Sequence, residues 1–164
     1  MNKLCTTIGI LVAFLALSGI ASAGDELEFR ARLSGDEEVP NPVVTNTTGK
    51  FRIEFNDDLT TAEFRLEVED ADRVTRAHIH CAPAGQNGPI VVALLEHKDG
   101  GVSTVRLSED VELEATITNE SISNNACGAT LSAIAAEMSN GNTYVNVHTV
   151  DNPGGEIRGQ IEEK

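Results

Sequence analysis

The chain has 164 residues, with 26 acidic against 12 basic side chains and a formal net charge of −14 at pH 7. Phosphate backbones and anionic lipid surfaces are gripped by clusters of Lys and Arg, so this balance excludes nucleic acid as a natural partner. The length is that of one ordinary domain with a single core.

Lys3 precedes a mostly apolar run from Leu4 to Leu17, and Ala21-Ser22-Ala23 stands before Gly24. One leading charge, a short apolar run and an A-x-A site read as a secretory signal peptide over residues 1–23, cut near Ala23-Gly24. The run falls short of the about 20 apolar residues that a bilayer-crossing helix needs, and no later stretch reaches that length. The expectation is a secreted or periplasmic protein with no transmembrane segment in its mature form, folded as a single domain over residues 24–164.

The first strand signal follows directly. Leu27, Phe29, Ala31 and Leu33 alternate with Glu28, Arg30 and Arg32, and the pattern returns in Phe51, Ile53, Phe55 and in Phe64, Leu66, Val68. Period-two alternation marks strands with one face in a core and one in water. Between the first two lies a loose segment, Asp36 to Thr48, where Pro40 and Pro42 hold the backbone extended. Its acidic patch Asp36-Glu37-Glu38 reads as a solvated surface without the spacing of a calcium loop.

Further strands are expected at residues 74–80, 90–95, 102–107, 111–117, 144–150 and 156–161. Turn chemistry separates them at Asn56-Asp57-Asp58, Gln86-Asn87-Gly88-Pro89, Asp99-Gly100-Gly101 and Asp151-Asn152-Pro153-Gly154-Gly155. Leu131, Ile134, Ala135 and Met138 break the series with helical spacing, and Asn140-Gly141 supplies a stop, so residues 129–139 read as one helix. The expected fold is all-β: an antiparallel, Greek-key-like β-sandwich or barrel with one short helix. Its core should hold Phe29, Phe51, Ile53, Phe55, Phe64, Leu66, Val92, Leu113, Val145 and Ile157, each on the apolar side of its strand.

Two cysteines remain after processing, Cys81 and Cys127, and an oxidising compartment pairs such thiols. A disulfide between them is expected; the competing reading makes Cys81 a metal thiolate beside His80.

Three of the four histidines fall in two strands, Ala77-His78-Ile79-His80 and Val145-Asn146-Val147-His148-Thr149. Alternate strand residues share a face about two 3.3 Å rises apart, which lets His78 and His80 converge on one cation. Ile79, Val145 and Val147 belong with the core, so the three histidines should project outward together with Arg76, Tyr144 and Asn146. If the two strands are neighbours, His148 completes a three-nitrogen site for copper or zinc with an open position. The alternative is three strand histidines hydrogen-bonded across the sheet. Glu156 is a further candidate ligand or base, against the plainer reading of a surface ion pair with Arg158. His97, beside Lys98 and a Gly-Gly turn, reads as solvated. No G-x-S-x-G elbow, phosphate-cradling loop or reactive-cysteine context is present.

The segments LSGDEEVPNPVVTNTTGKFRIEF, AHIHCAPAGQNGPIVVALL and GNTYVNVHTVDNPGGEIRGQI resemble, in order and spacing, the three signature blocks of the chordin-type (CHRD) domain. The resemblance covers essentially all of residues 27–161. It implies an extracellular or periplasmic all-β domain; the partner expected for such a module is an extracellular or envelope protein, a matrix polymer or a metal ion. It implies no established reaction. A fainter likeness is to copper/zinc superoxide dismutases, which also use a His-x-His strand in a β-barrel with a disulfide; the bridging histidine and zinc-loop cluster have no counterpart here. Two functions therefore stand: a non-catalytic binding module with a histidine metal site, or a metal-dependent redox enzyme built on His78, His80 and His148.

Overall fold

A computed structural model describes residues 27–96 and 109–164 of the chain. The signal peptide expected at 1–23, the strand expected at 102–107 and His97 lie outside the described residues.

The strands are β1 (Leu27–Ser34), β2 (Thr48–Phe55), β3 (Thr61–Ala71), β4 (Val74–Cys81), β5 (Ile90–Leu95), β6 (Glu109–Thr118), β7 (Thr143–Thr149), β8 (Ile157–Gln160) and β9 (Glu162–Glu163). They form one antiparallel sheet in the order β5-β4-β7-β8-β1-β2-β3-β6, with β9 paired to β1. Its two ends nearly meet. Val92 of β5 bridges Ile122, just beyond β6, and Ser123 N–H donates to the Val91 carbonyl at 2.9 Å. Of the two expected architectures the barrel is therefore the one found, and its curvature covers the edges that an open sheet would expose.

Alternation sets the core. Phe29, Ile53 and Leu66 are fully buried, and Phe51, Phe55 and Phe64 nearly so; the Phe29 and Phe55 rings meet edge to face with centroids 5.9 Å apart. Leu113 departs from the expected core, being only half-buried and packed against its margin; among the described residues β6 has β3 as its ladder partner. On the outer face, Arg52 meets Glu28 and Glu54, and Arg65 meets Glu67, Glu112 and Glu114. Such exposed pairs add about 0–1 kcal/mol each and serve solubility more than stability.

The helix forms where expected, as α1 (Leu131–Ser139). Thr130 caps it by accepting from the Ala133 N–H at 3.2 Å. Leu131, Ile134, Ala135 and Met138 are at most 1% exposed and join the same apolar cluster as the strands. Gly141, at φ 71°, ends the helix and turns the chain into β7. No helix among the described residues is long and apolar enough to cross a membrane.

β4 and β7 are neighbours, with Arg76 opposite His148, His78 opposite Asn146, Ile79 opposite Val145 and His80 opposite Tyr144. Cys81, the last residue of β4, is joined to Cys127 with Cα atoms 5.7 Å apart. That bond ties the end of β4 to the turn before α1.

Candidate metal centre

Strand alternation sends Ile79, Val145 and Val147 into the core at 0% exposure and places His78, His80 and His148 together on the opposite side of the same strands. The shared face is as expected, but its solvation is not. His78, His80 and His148 are 1%, 9% and 7% exposed, and all seven residues of β7 are buried. The cause is a second layer laid over this face by the segments 35–47 and 82–89 and the turn before β8. Asn146 Nδ2 donates to Glu38 Oε1 at 2.5 Å, and Thr45 and Thr47 donate to Glu156 Oε1 at 2.5 and 3.2 Å. Arg158 donates to Asn87 Oδ1 at 3.0 Å and to the Gln86 carbonyl at 2.8 Å.

Glu38 is consequently buried, whereas the sequence pattern placed it in a solvated acidic patch. Burial raises its pKa, against the Asn146 bond and the Arg158 charge. Gly155, at φ 146°, makes room for it: a Cβ there would stand 2.6–2.7 Å from the Glu38 carboxylate oxygens.

The three imidazoles form one cluster. Ring centroids lie 5.1 Å apart for His78 and His148, 5.6 Å for His78 and His80, and 6.4 Å for His80 and His148. One ligand atom from each lies within 4.8 Å of the others. Backbone carbonyls hold two of the rings: His80 Nδ1 is 3.0 Å from the Gly88 oxygen and His148 Nδ1 is 3.2 Å from the Pro153 oxygen. A carbonyl only accepts, so both Nδ1 atoms carry the proton and both Nε2 atoms present lone pairs. Acceptors on the far nitrogen are what orients ligating histidines.

His148 Nε2 faces His78 Nδ1 at 3.2 Å. Among the described residues, His80 Nε2 and His78 Nε2 are buried with no hydrogen-bond partner; Glu96 Oε1 stands 3.8 Å from the latter. A buried polar atom without a partner costs about 1–3 kcal/mol, so such atoms in a native fold call for a ligand.

Burial, assisted by His148, His80 and Arg76, lowers the His78 pKa to about 3. Burial, then Arg76 and His80, lowers His148 to about 4 against the pull of the Pro153 carbonyl. His80 is lowered by burial and by Arg158, with the Gly88 bond opposing. All three rings are thus neutral at physiological pH, the form that binds metal.

The scaffold behind them is stiff. His80 stacks on Tyr144 at 4.8 Å and 11°, and the Arg158 guanidinium lies 3.5 Å from the Tyr144 centroid, a cation–π contact. Tyr144 Oη accepts from the Gly88 N–H at 3.2 Å. Position 88 tolerates only glycine, since a Cβ would fall 1.9 Å from the Cys81 carbonyl oxygen. That close approach brings the Gly88 carbonyl to His80.

Glu156 lies apart from the three-histidine group. Its carboxylate accepts from Thr45, Thr47, Thr149 and Asn152. Burial pushes its pKa up, but these bonds outweigh burial and hold it below the usual range. The ion pair read between Glu156 and Arg158 gives way to the bonds from Arg158 to Gln86 and Asn87. Cys81, in its disulfide, offers no thiolate. Sequence reasoning missed Glu38, Gly88 and Pro153 as partners of this face; the turn residues around the last two were the only signal.

Searches of curated proteins and of solved structures each found no match. The CHRD domain model matches residues 29–161, a span that contains both strands of the histidine cluster, Cys81, Cys127 and Glu156. The chain belongs to the CHRD domain family.

Proposed function

We propose that this CHRD protein is an exported, non-catalytic binding module that holds one divalent copper or zinc ion on His78, His80 and His148. The observation that carries the reading is the buried cluster itself: three neutral imidazoles with ligand atoms within 4.8 Å, two of them oriented by backbone carbonyls. Imidazole nitrogen suits both metals, and three protein ligands leave one position open. Rings less than a tenth exposed suit the holding of an ion and offer no bed for an extended substrate. Export to the cell exterior or a periplasm is supported by the Cys81–Cys127 bond, which persists in oxidising compartments, and by the signal-like segment ending at Ala23.

Calorimetric titration of the protein with zinc and with copper at pH 7.4 tests the site. One equivalent should bind to the wild type and to Glu156→Gln, whose carboxylate serves the covering loops, while His80→Ala and His148→Ala should lose it. Absence of binding by both metals, or wild-type binding by His148→Ala, would overturn the reading.

A further inference from the structure

Resting on that metal reading, a second feature defines what else the centre holds. Three neutral imidazoles bring no negative charge to a divalent ion, and a cation of uncompensated charge in a buried setting is strongly disfavoured. The charged groups facing the cluster are Arg76 beside His148 and His78, Arg158 behind the Tyr144 ring that backs His80, and Glu96 at 3.8 Å from His78 Nε2. Arg158 is bonded to Gln86 and Asn87 and balanced by Glu38. Glu96 is exposed, which weakens its hold on the interior.

Arg76 is different. It is the direct cross-strand partner of His148, and its Nη2 donates at 3.1 Å to the Pro153 carbonyl, the same oxygen that accepts from His148 Nδ1. Among the described residues no carboxylate pairs with it, a state it shares with Arg30 and Arg32, but it is Arg76 that shares a carbonyl with a histidine of the cluster. An exposed, unpaired guanidinium one carbonyl away from a ligand ring keeps most of its five donors for an outside partner.

We propose that the metal-loaded centre takes a small anion, of the carboxylate or bicarbonate class, at its open position, with Arg76 gripping the anion's outer end. The anion supplies the missing negative charge, the metal takes one of its oxygens, and the guanidinium selects for charge and small size. With His78, His80 and His148 at 1%, 9% and 7% exposure, the burial of the cluster restricts the anion to a few atoms.

Azide titration of the copper(II)-loaded full chain, in chloride-free buffer, reads this directly through the ligand-to-metal absorption band and electron paramagnetic resonance. The wild type should bind one azide per copper, more weakly as salt rises. Arg76→Gln should keep its copper and bind azide about tenfold more weakly, with Arg76→Lys in between. Copper bound without any azide response overturns the anion site alone, as does equal azide affinity in Arg76→Gln. A wild type silent to azide beside a responsive Glu96→Gln assigns the open position to Glu96 and overturns it too. A chain that takes up no copper overturns the metal reading and the anion site together.

Discussion

Metal-free protein brought from pH 7 to pH 4.5 should lose roughly 5 kcal/mol of stability, most of it from two side chains. Burial and neighbouring positive charge hold the His78 and His148 pKa values at about 3 and about 4 in the fold, while in the unfolded chain both protonate near the ordinary value of about 6.5. Between those limits the unfolded chain binds more protons than the native one, so stability rises with pH across the window. The contribution is fully present above about 6.5 and is lost as pH falls toward 4 and then 3. His80, lowered by burial, acts in the same direction. Glu156, held below its usual range, adds a loss at still lower pH. Glu38 opposes: its pKa is raised, so its protonation favours the native state. Urea melts of chelator-treated protein at steps from pH 7.5 to 4.5 measure the slope. A midpoint that does not move across that range would contradict the burial of neutral histidines.

Reduction of the disulfide should have an effect of similar size. Cys81 and Cys127 are 46 positions apart, and closing a loop of that length removes unfolded-chain entropy worth roughly 4 kcal/mol. For a domain of this size the melting temperature should fall by about 10–15 °C in Cys81→Ser, or in wild type with reductant. The bond also anchors the residue that follows His80 and whose carbonyl packs on Gly88, the residue that orients the His80 ring. Metal affinity should therefore weaken in the reduced protein along with stability. Thermal melts with and without reductant, paired with intact mass, decide this. Unchanged melting after full reduction would show that the bridge adds nothing.

Much of the fold was legible because its signals are local. Alternation in Phe29 to Leu33, Phe51 to Phe55 and Phe64 to Val68 located three strands and their buried faces, and the helical spacing of Leu131, Ile134 and Met138 located α1. The shared face of His78, His80 and His148 followed from the same period-two argument. The burial of that face was not legible, because alternation says which residues avoid the core and nothing about what lies over them. The cover comes from contacts remote in sequence, Glu38 with Asn146 across 108 positions and Arg158 with Gln86 across 72. Sheet order was illegible for the same reason: β4 pairs with β7 across a long stretch of chain, and only tertiary packing selects that neighbour. Leu113 shows the other limit, since its alternation matches that of the buried Val111 and Ile117 on the same strand while it is itself only half-buried.

X-ray absorption on protein loaded with one equivalent of zinc or copper addresses the central claim most directly, that His78, His80 and His148 form a single cation centre. The account predicts three imidazole nitrogens at about 2.0–2.1 Å from zinc, with the multiple scattering of histidine rings and one further light atom. The His148→Ala spectrum should lose one ring. A shell of oxygen atoms alone, or one containing sulfur, would contradict it.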